Sequence, residues 1–120
     1  MSHHGVRVAV LALYLLFRGL STLLHAGDAD MAAGKRLYSD LCKACHGLDG
    51  KGAGVMQLAP PAADLTSGEV QAKLDSGLYK SIHEGRANTA MGAWKHALTD
   101  QEIRDVVSYV RTFRSAIPQP

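Results

Sequence analysis

The chain has 120 residues, 47% of them hydrophobic and 20% charged, which suffices for one small globular domain plus a targeting segment and excludes a multidomain protein. Its formal net charge of +2 is contributed by Arg7 and Arg18 in the first 26 residues, and beyond them 11 basic side chains face 11 acidic ones. That balance gives no support to nucleic-acid binding, and Lys43, Lys51 and Lys95 read as a solvated surface or, at most, a local basic face.

Residues 1–26 carry no acidic side chain, place Arg7 ahead of an apolar run at 8–17, and end at the small-residue stretch His25-Ala26-Gly27. This is the layout of a secretory signal peptide, and cleavage after Ala26 leaves a 94-residue domain over 27–120. The alternative is a retained membrane anchor, since residues 8–26 near the ~20 that span a bilayer. Arg18 opposes it, because an arginine in mid-span costs about 2.5 to 3.5 kcal/mol. On either reading the domain is expected in the periplasm or on another extracytoplasmic side of a membrane.

From residue 27 onward helical patterns alternate with Gly- or Pro-rich loops and no strand pattern emerges, which predicts an all-α fold. Asp30 can cap a first helix in which Leu37, Tyr38, Leu41, Cys42 and Cys45 share one side, and Gly47 ends it. The end of that helix carries Cys42-Lys43-Ala44-Cys45-His46, and the chain has no other cysteine. Two thiols three positions apart lie on one helical face, so each can bond a haem vinyl group while the adjacent imidazole reaches the iron. A structural zinc site normally draws on a second ligand pair, which the sequence lacks. A thioredoxin-like dithiol expects a βαβ context and gives the histidine no role. The reading is therefore one covalently bound haem c, with Cys42 and Cys45 as cofactor-binding residues and His46 as an iron ligand.

The loop at 47–54 holds Gly47, Gly50, Gly52 and Gly54, but no Lys-Ser/Thr pair follows and no strand precedes it. It reads as chain folding tightly around a flat cofactor, not as a phosphate cradle. A Pro60-Pro61 turn and short helical patterns at 69–74 and 78–84 come next. Met91 then lies 45 residues beyond His46 in a stretch from Gly85 to Trp94 that cannot easily form a long helix, which makes its thioether the first candidate for the sixth iron position. Met56, His83, His96 or no ligand at all are the alternatives; otherwise His83 reads as an exposed helix residue and His96 as a loop residue. Trp94 can pack by the haem edge and Arg86 can meet a propionate. The last helix opens on the capping box Thr99-Asp100-Gln101-Glu102 and buries Ile103, Val106, Val107, Val110 and Phe113. Its acids fall early and Arg111 and Arg114 late, as the helix dipole favours, and Pro118 ends any helical run. So small a domain is expected to fold poorly without the cofactor as part of its core.

With Cys42-Lys-Ala-Cys-His46, the loop Met91-Gly-Ala-Trp94 and the closing amphipathic helix, the chain resembles class I cytochromes c over about residues 29–113. The resemblance implies a cytochrome c-like domain of three to five helices around one haem, its first and last helices crossing where Gly34 permits close approach and Tyr109 packs. It also implies His46 and Met91 as axial ligands, with a proline carbonyl, from Pro60 or Pro61, orienting the histidine. The chain departs from many relatives in having Gly92, not proline, after the methionine, which is expected to loosen the loop. The function implied is single-electron transfer, not catalysis, with redox partners such as a dehydrogenase, a cytochrome complex or a terminal oxidase. The chain is then a monomer or a subunit attached to such a complex, and touches the membrane only if its N-terminal segment is retained. An enzyme or sensor of peroxidase-like type requires the iron–sulfur bond to be absent or labile.

Overall fold

The computed structural model describes residues 28–116 and is all-helical over them; the leader or anchor reading of residues 1–26 and the helix stop at Pro118 lie outside the described residues. Asp30 caps the first helix, α1 (Met31–Leu37), its carboxylate accepting from the amides of Ala32 at 2.8 Å and Ala33 at 3.0 Å. The same rod runs on through a π-helical turn at Tyr38–Cys42 into α2 (Lys43–His46). In the π turn the Lys43 N–H reaches back five residues to the Tyr38 carbonyl, which adds a residue to the turn and re-aims everything after it. Periodicity alone predicts an unbroken helix here. Leu41, placed by it on the same side as Tyr38 and Cys42, lines a pocket together with Cys42 and Cys45, whereas Tyr38 is fully buried.

Ser67 caps α3 (Gly68–Gln71), and α4 (Asp75–Glu84) begins three residues before the predicted pattern, because Leu74 at its N-cap offers no side-chain signal. The last helix, α5 (Asp100–Val110), has the expected reciprocal capping box: the Glu102 amide donates to the Thr99 hydroxyl at 3.2 Å, and the Thr99 amide to the Glu102 carboxylate at 2.8 Å. A 3₁₀ extension, Arg111–Ala116, follows it. Arg111 and Arg114 do more than suit the dipole of their own helix. Both donate to the Gln71 carbonyl, and Arg111 also pairs with Asp75 at 2.7 Å, so they close the exposed C-terminal end of α3 onto the last helix.

The termini of the domain cross as expected. Gly34 lies directly against the Asp105–Val106 backbone of α5, and the Asp105 carboxylate accepts from the Asp30 amide at 2.8 Å. Tyr38, Tyr109 and Phe113 meet with ring centroids 5.2 to 5.5 Å apart, and Ile103, Val106, Val107 and Val110 complete the buried layer. Tyr109 does pack at the crossing, but Tyr38 is the fully buried ring, its hydroxyl donating to the Gly47 carbonyl at 2.7 Å. Gly50, at φ +74°, sits under Phe113, where an added Cβ would lie 2.8 Å from the ring.

Candidate haem site

The crossing leaves a cleft of about 740 Å³ along one side of the rod, lined by Cys42, Cys45, His46, Met91 and Trp94. It continues inward to Leu78, Ile82, Val106 and Val110, so its floor is the apolar layer of the core. The positions singled out by motif and by loop thus converge on one cavity. His46 is buried and Met91 half-buried, whereas Met56 is 53% exposed and His96 is exposed, and neither lines the cleft. Met56 is held away by the bond from its amide to the Ala44 carbonyl at 2.9 Å. His83 also stands outside the cleft, between the carboxylates of Glu84 and Asp100.

The imidazole of His46 is oriented by its Nδ1–H, which donates to the carbonyl of Ala63 at 3.0 Å. That corrects the expectation of a proline acceptor at Pro60 or Pro61. The segment after the proline pair is pinned to the glycine loop by the Leu65 amide on the Gly50 carbonyl at 2.6 Å, and this brings Ala63, not either proline, over the ring. Any backbone carbonyl serves the purpose; with Nδ1 committed, Nε2 is the ring nitrogen left for a metal. No signal in the sequence distinguishes Ala63 from its neighbours.

No disulfide joins Cys42 to Cys45, and burial, helped by the nearby Cys45, pushes the Cys42 thiol up to about 11. A thiol held neutral in this way is poorly suited to dithiol exchange or thiolate–metal binding, both of which need the anion. It remains suited to a covalent bond with an apolar ring substituent. Lys73 and Arg86 bring two cations to the cleft's lining, Lys73 already 3.9 Å from the Glu69 carboxylate and Asp64 lining the same cleft, which leaves Arg86 as the cation for an acidic edge, and the remainder of the lining is mostly apolar. The residues present therefore fit a flat, largely apolar macrocycle with an acidic edge and a central metal.

Met91 is positioned by a loop that closes on itself. The Arg86 amide donates to the Met91 carbonyl at 2.9 Å, the Met91 amide to the Thr89 hydroxyl at 3.1 Å, and Asn88 supplies a left-handed turn at φ +60°. Gly85, with φ +71°, packs directly on the Met91–Gly92 peptide; a Cβ there would stand 2.6 Å from the Gly92 carbonyl carbon and 2.7 Å from the Met91 oxygen. Gly92 lines the cleft, and a Cβ there would meet no other residue of the chain. We expect Gly85→Ala to displace Met91 and reduce the sulfur-to-iron charge-transfer band of the ferric holoprotein by more than half. With ψ at −170° the backbone there lies in a region essentially restricted to glycine and costs an alanine about 1 to 3 kcal/mol, and the peptide overlap adds to it. Gly77→Ala, whose Cβ would meet nothing closer than 3.8 Å and which lies outside the cleft, is the control and should leave the band intact. Gly85 positions the Met91 loop in a way that motif and periodicity do not assign; a glycine closing a helix just before that loop is the signal the sequence offers for it.

A family model for Cytochrome c matches residues 31–114. Cytochrome c-554(547) of Halothiobacillus neapolitanus is 33% identical over 96 residues, covering 74% of this chain and all of that protein. The Cbb3-type cytochrome c oxidase subunit FixP of Bradyrhizobium diazoefficiens is 32% identical over 90% of this chain, which spans only 35% of that subunit's length. Among solved structures, the KustC0563 c-type cytochrome superposes with a TM-score of 0.59 at 33% identity, covering 67% of this chain and 95% of its own.

Proposed function

This chain belongs to the cytochrome c family, whose cofactor is covalently attached haem c, and on that premise we propose that it carries single electrons between extracytoplasmic redox partners. In this reading Cys42 and Cys45 form the two thioether bonds, and His46 and Met91 are the axial ligands. The observation that carries it is the convergence of these four side chains on one apolar cleft, with the His46 Nδ1 already committed to Ala63.

The haem supplies a one-electron iron couple when bound. The protein's own residues set its character. A soft thioether from Met91 and the apolar walls of Leu78, Ile82, Val106 and Val110 favour the less charged, reduced centre and so a raised potential. The Ala63 carbonyl fixes the His46 ring through Nδ1, so the ring would present Nε2 to the iron in one orientation. Arg86, at the cleft's lining, would offset propionate charge there. With both axial sites filled by the chain, partners exchange electrons through docking that is weak and brief.

The match to FixP supports a second reading, in which the domain is a permanently attached electron-transfer subunit of an oxidase or dehydrogenase complex. Among the described residues no helix is long and apolar enough to cross a membrane. The N-terminal segment therefore decides between the readings, and we infer a signal peptide cleaved near Ala26. Mass spectrometry of the native N-terminus checks that inference: loss of the Arg7 segment supports a free carrier, and its retention supports the attached subunit.

The carrier reading is tested on matured protein. Colour should stay with the chain in acidified acetone, and the ferric form should be low-spin with a near-infrared sulfur-to-iron band. Colour released by acid acetone refutes thioether attachment, and a high-spin ferric spectrum refutes the His46–Met91 pair.

A further inference from the structure

We propose that Gln71 is a positioning residue for the axial histidine: its buried side-chain amide holds the segment whose Ala63 carbonyl receives the His46 proton, and so sets how strongly the ring donates from its iron-facing nitrogen. The inference rests on His46 as an axial ligand and adds what keeps its acceptor in place.

Ala63 belongs to no helix, so its carbonyl stays over the imidazole only as far as the chain around it is fixed. Gly52, at φ +80°, packs directly on the Ala62 carbonyl and limits the segment from the side of the glycine loop. The Asp64 carboxylate accepts from the Thr66 amide at 2.8 Å and the Thr66 hydroxyl at 2.6 Å, which shapes a turn within the segment. Leu65 is where the segment is bonded to the rest of the domain. Its amide donates to the Gly50 carbonyl at 2.6 Å, and its carbonyl accepts from Gln71 Nε2 at 2.7 Å.

Gln71 is only 3% exposed, and the same Nε2 also donates to the Val110 carbonyl at the end of α5, at 3.1 Å. Its main-chain carbonyl is held in turn by Arg111 and Arg114. One side chain thus ties the Ala63 segment to the end of the helix that closes the domain. Both neighbours of the amide are acceptors, so only its NH₂ end can serve them. The other end, Oε1, is buried with no partner among the described residues. An unpaired buried oxygen is costly, and an apolar side chain of similar length would avoid that cost. The position therefore gives up stability at one end of the amide and keeps two donors at the other, which is what holding the segment in place requires.

The electronic consequence has a definite sign. A well-made bond from Nδ1–H to the Ala63 carbonyl makes the ring more basic at Nε2, which favours the more charged, ferric centre. Without the two bonds from Gln71 the Ala63 carbonyl drifts, the bond to His46 weakens, and the balance moves toward the ferrous form.

The test uses holoprotein with nitrogen-15-labelled histidine. In ferrous Gln71→Met, exchange of the His46 Nδ1 proton, measured relative to the backbone amides of Ile103 and Val106, should quicken about tenfold. At a fixed poise the ferrous-to-ferric ratio should rise about threefold, while the sulfur-to-iron band stays. Gln71→Glu, close in shape but with at most one donor, should move both readings in the same direction, and it carries the test if the methionine variant does not take up haem. Val107→Ala is the control for stability. It removes buried contacts that do not line the cleft, so it should lower the midpoint of thermal unfolding and leave both readings at their wild-type values. Either reading unchanged in the Gln71 variants overturns the proposal while leaving His46 ligation standing. The proposal is equally overturned if Val107→Ala reproduces both changes, since general loosening would then account for them. If the His46 ring protons of the ferrous wild type lack the ring-current shifts of an axially bound imidazole, the ligand assignment and the proposal fall together.

Discussion

Replacing Met91 by alanine is expected to abolish the near-infrared sulfur-to-iron band and to lower the reduction potential by at least about 0.1 V, a small part of the ~0.8 V range over which axial ligation tunes haem iron. The thioether is soft and favours the ferrous state, and its loss admits water or another hard donor that favours the ferric one. Met56→Ala should change neither quantity. The residue is 53% exposed and does not line the cleft. Potentiometric titration of the two variants beside the wild type separates the candidates directly. An unchanged potential in Met91→Ala, or a lost band in Met56→Ala, would exchange their roles. The Met91→Ala protein also tests the enzyme reading, because an opened coordination position is what a peroxidase-like activity requires; such activity should rise in the variant above a low wild-type level.

What the sequence made legible was whatever depends on local pattern. The capping box at Thr99, the buried stripe from Ile103 to Phe113 and the CxxCH end of the first rod each follow from spacing and residue type, and each is where the spacing puts it. The cleft was legible in a weaker sense. Cys42, Cys45 and His46 are a local motif, while Met91 stood out only because its surroundings cannot be a long helix. The remainder depends on contacts between segments distant in the chain. That Ala63 and not Pro60 or Pro61 receives the His46 proton is decided by where the glycine loop pins the segment that follows, through Gly50 and Leu65. The π turn at Tyr38–Cys42 inserts a residue that no periodic template contains. Arg111 and Arg114 look like partners for their own helix dipole, yet their guanidinium groups are committed to carbonyls about forty residues away in sequence. Reading such groups requires the packing first.

Gly34→Ala is expected to destabilise the holoprotein by about 2 kcal/mol or more and to lower its midpoint of thermal unfolding by roughly 8 to 16 °C. Two effects oppose each other at this position. Alanine is the better helix former by about 1 kcal/mol, since glycine loses more backbone freedom on folding. Against that, the new methyl would overlap the Asp105 carbonyl and stand 3.0 Å from the Val106 amide nitrogen, both of them backbone atoms in the middle of α5. Backbone cannot swing aside as a side-chain tip can, so the helices must separate. Separation would strain the Asp30–Asp105 bond and loosen Tyr38 against Tyr109 and Phe113, the packing beneath the cleft. Gly77→Ala supplies the control with the opposite sign. It is also interior to a helix, α4, but its Cβ would meet nothing closer than a Lys73 methylene at 3.8 Å. There the propensity term acts alone, and the midpoint should rise by a few degrees, the equivalent of about 0.5 to 1 kcal/mol. Thermal melts of the two variants, followed at the haem absorbance and by far-ultraviolet circular dichroism, decide the matter. If Gly34→Ala proved as stable as Gly77→Ala, the close crossing of the first and last helices could not be what holds this domain together.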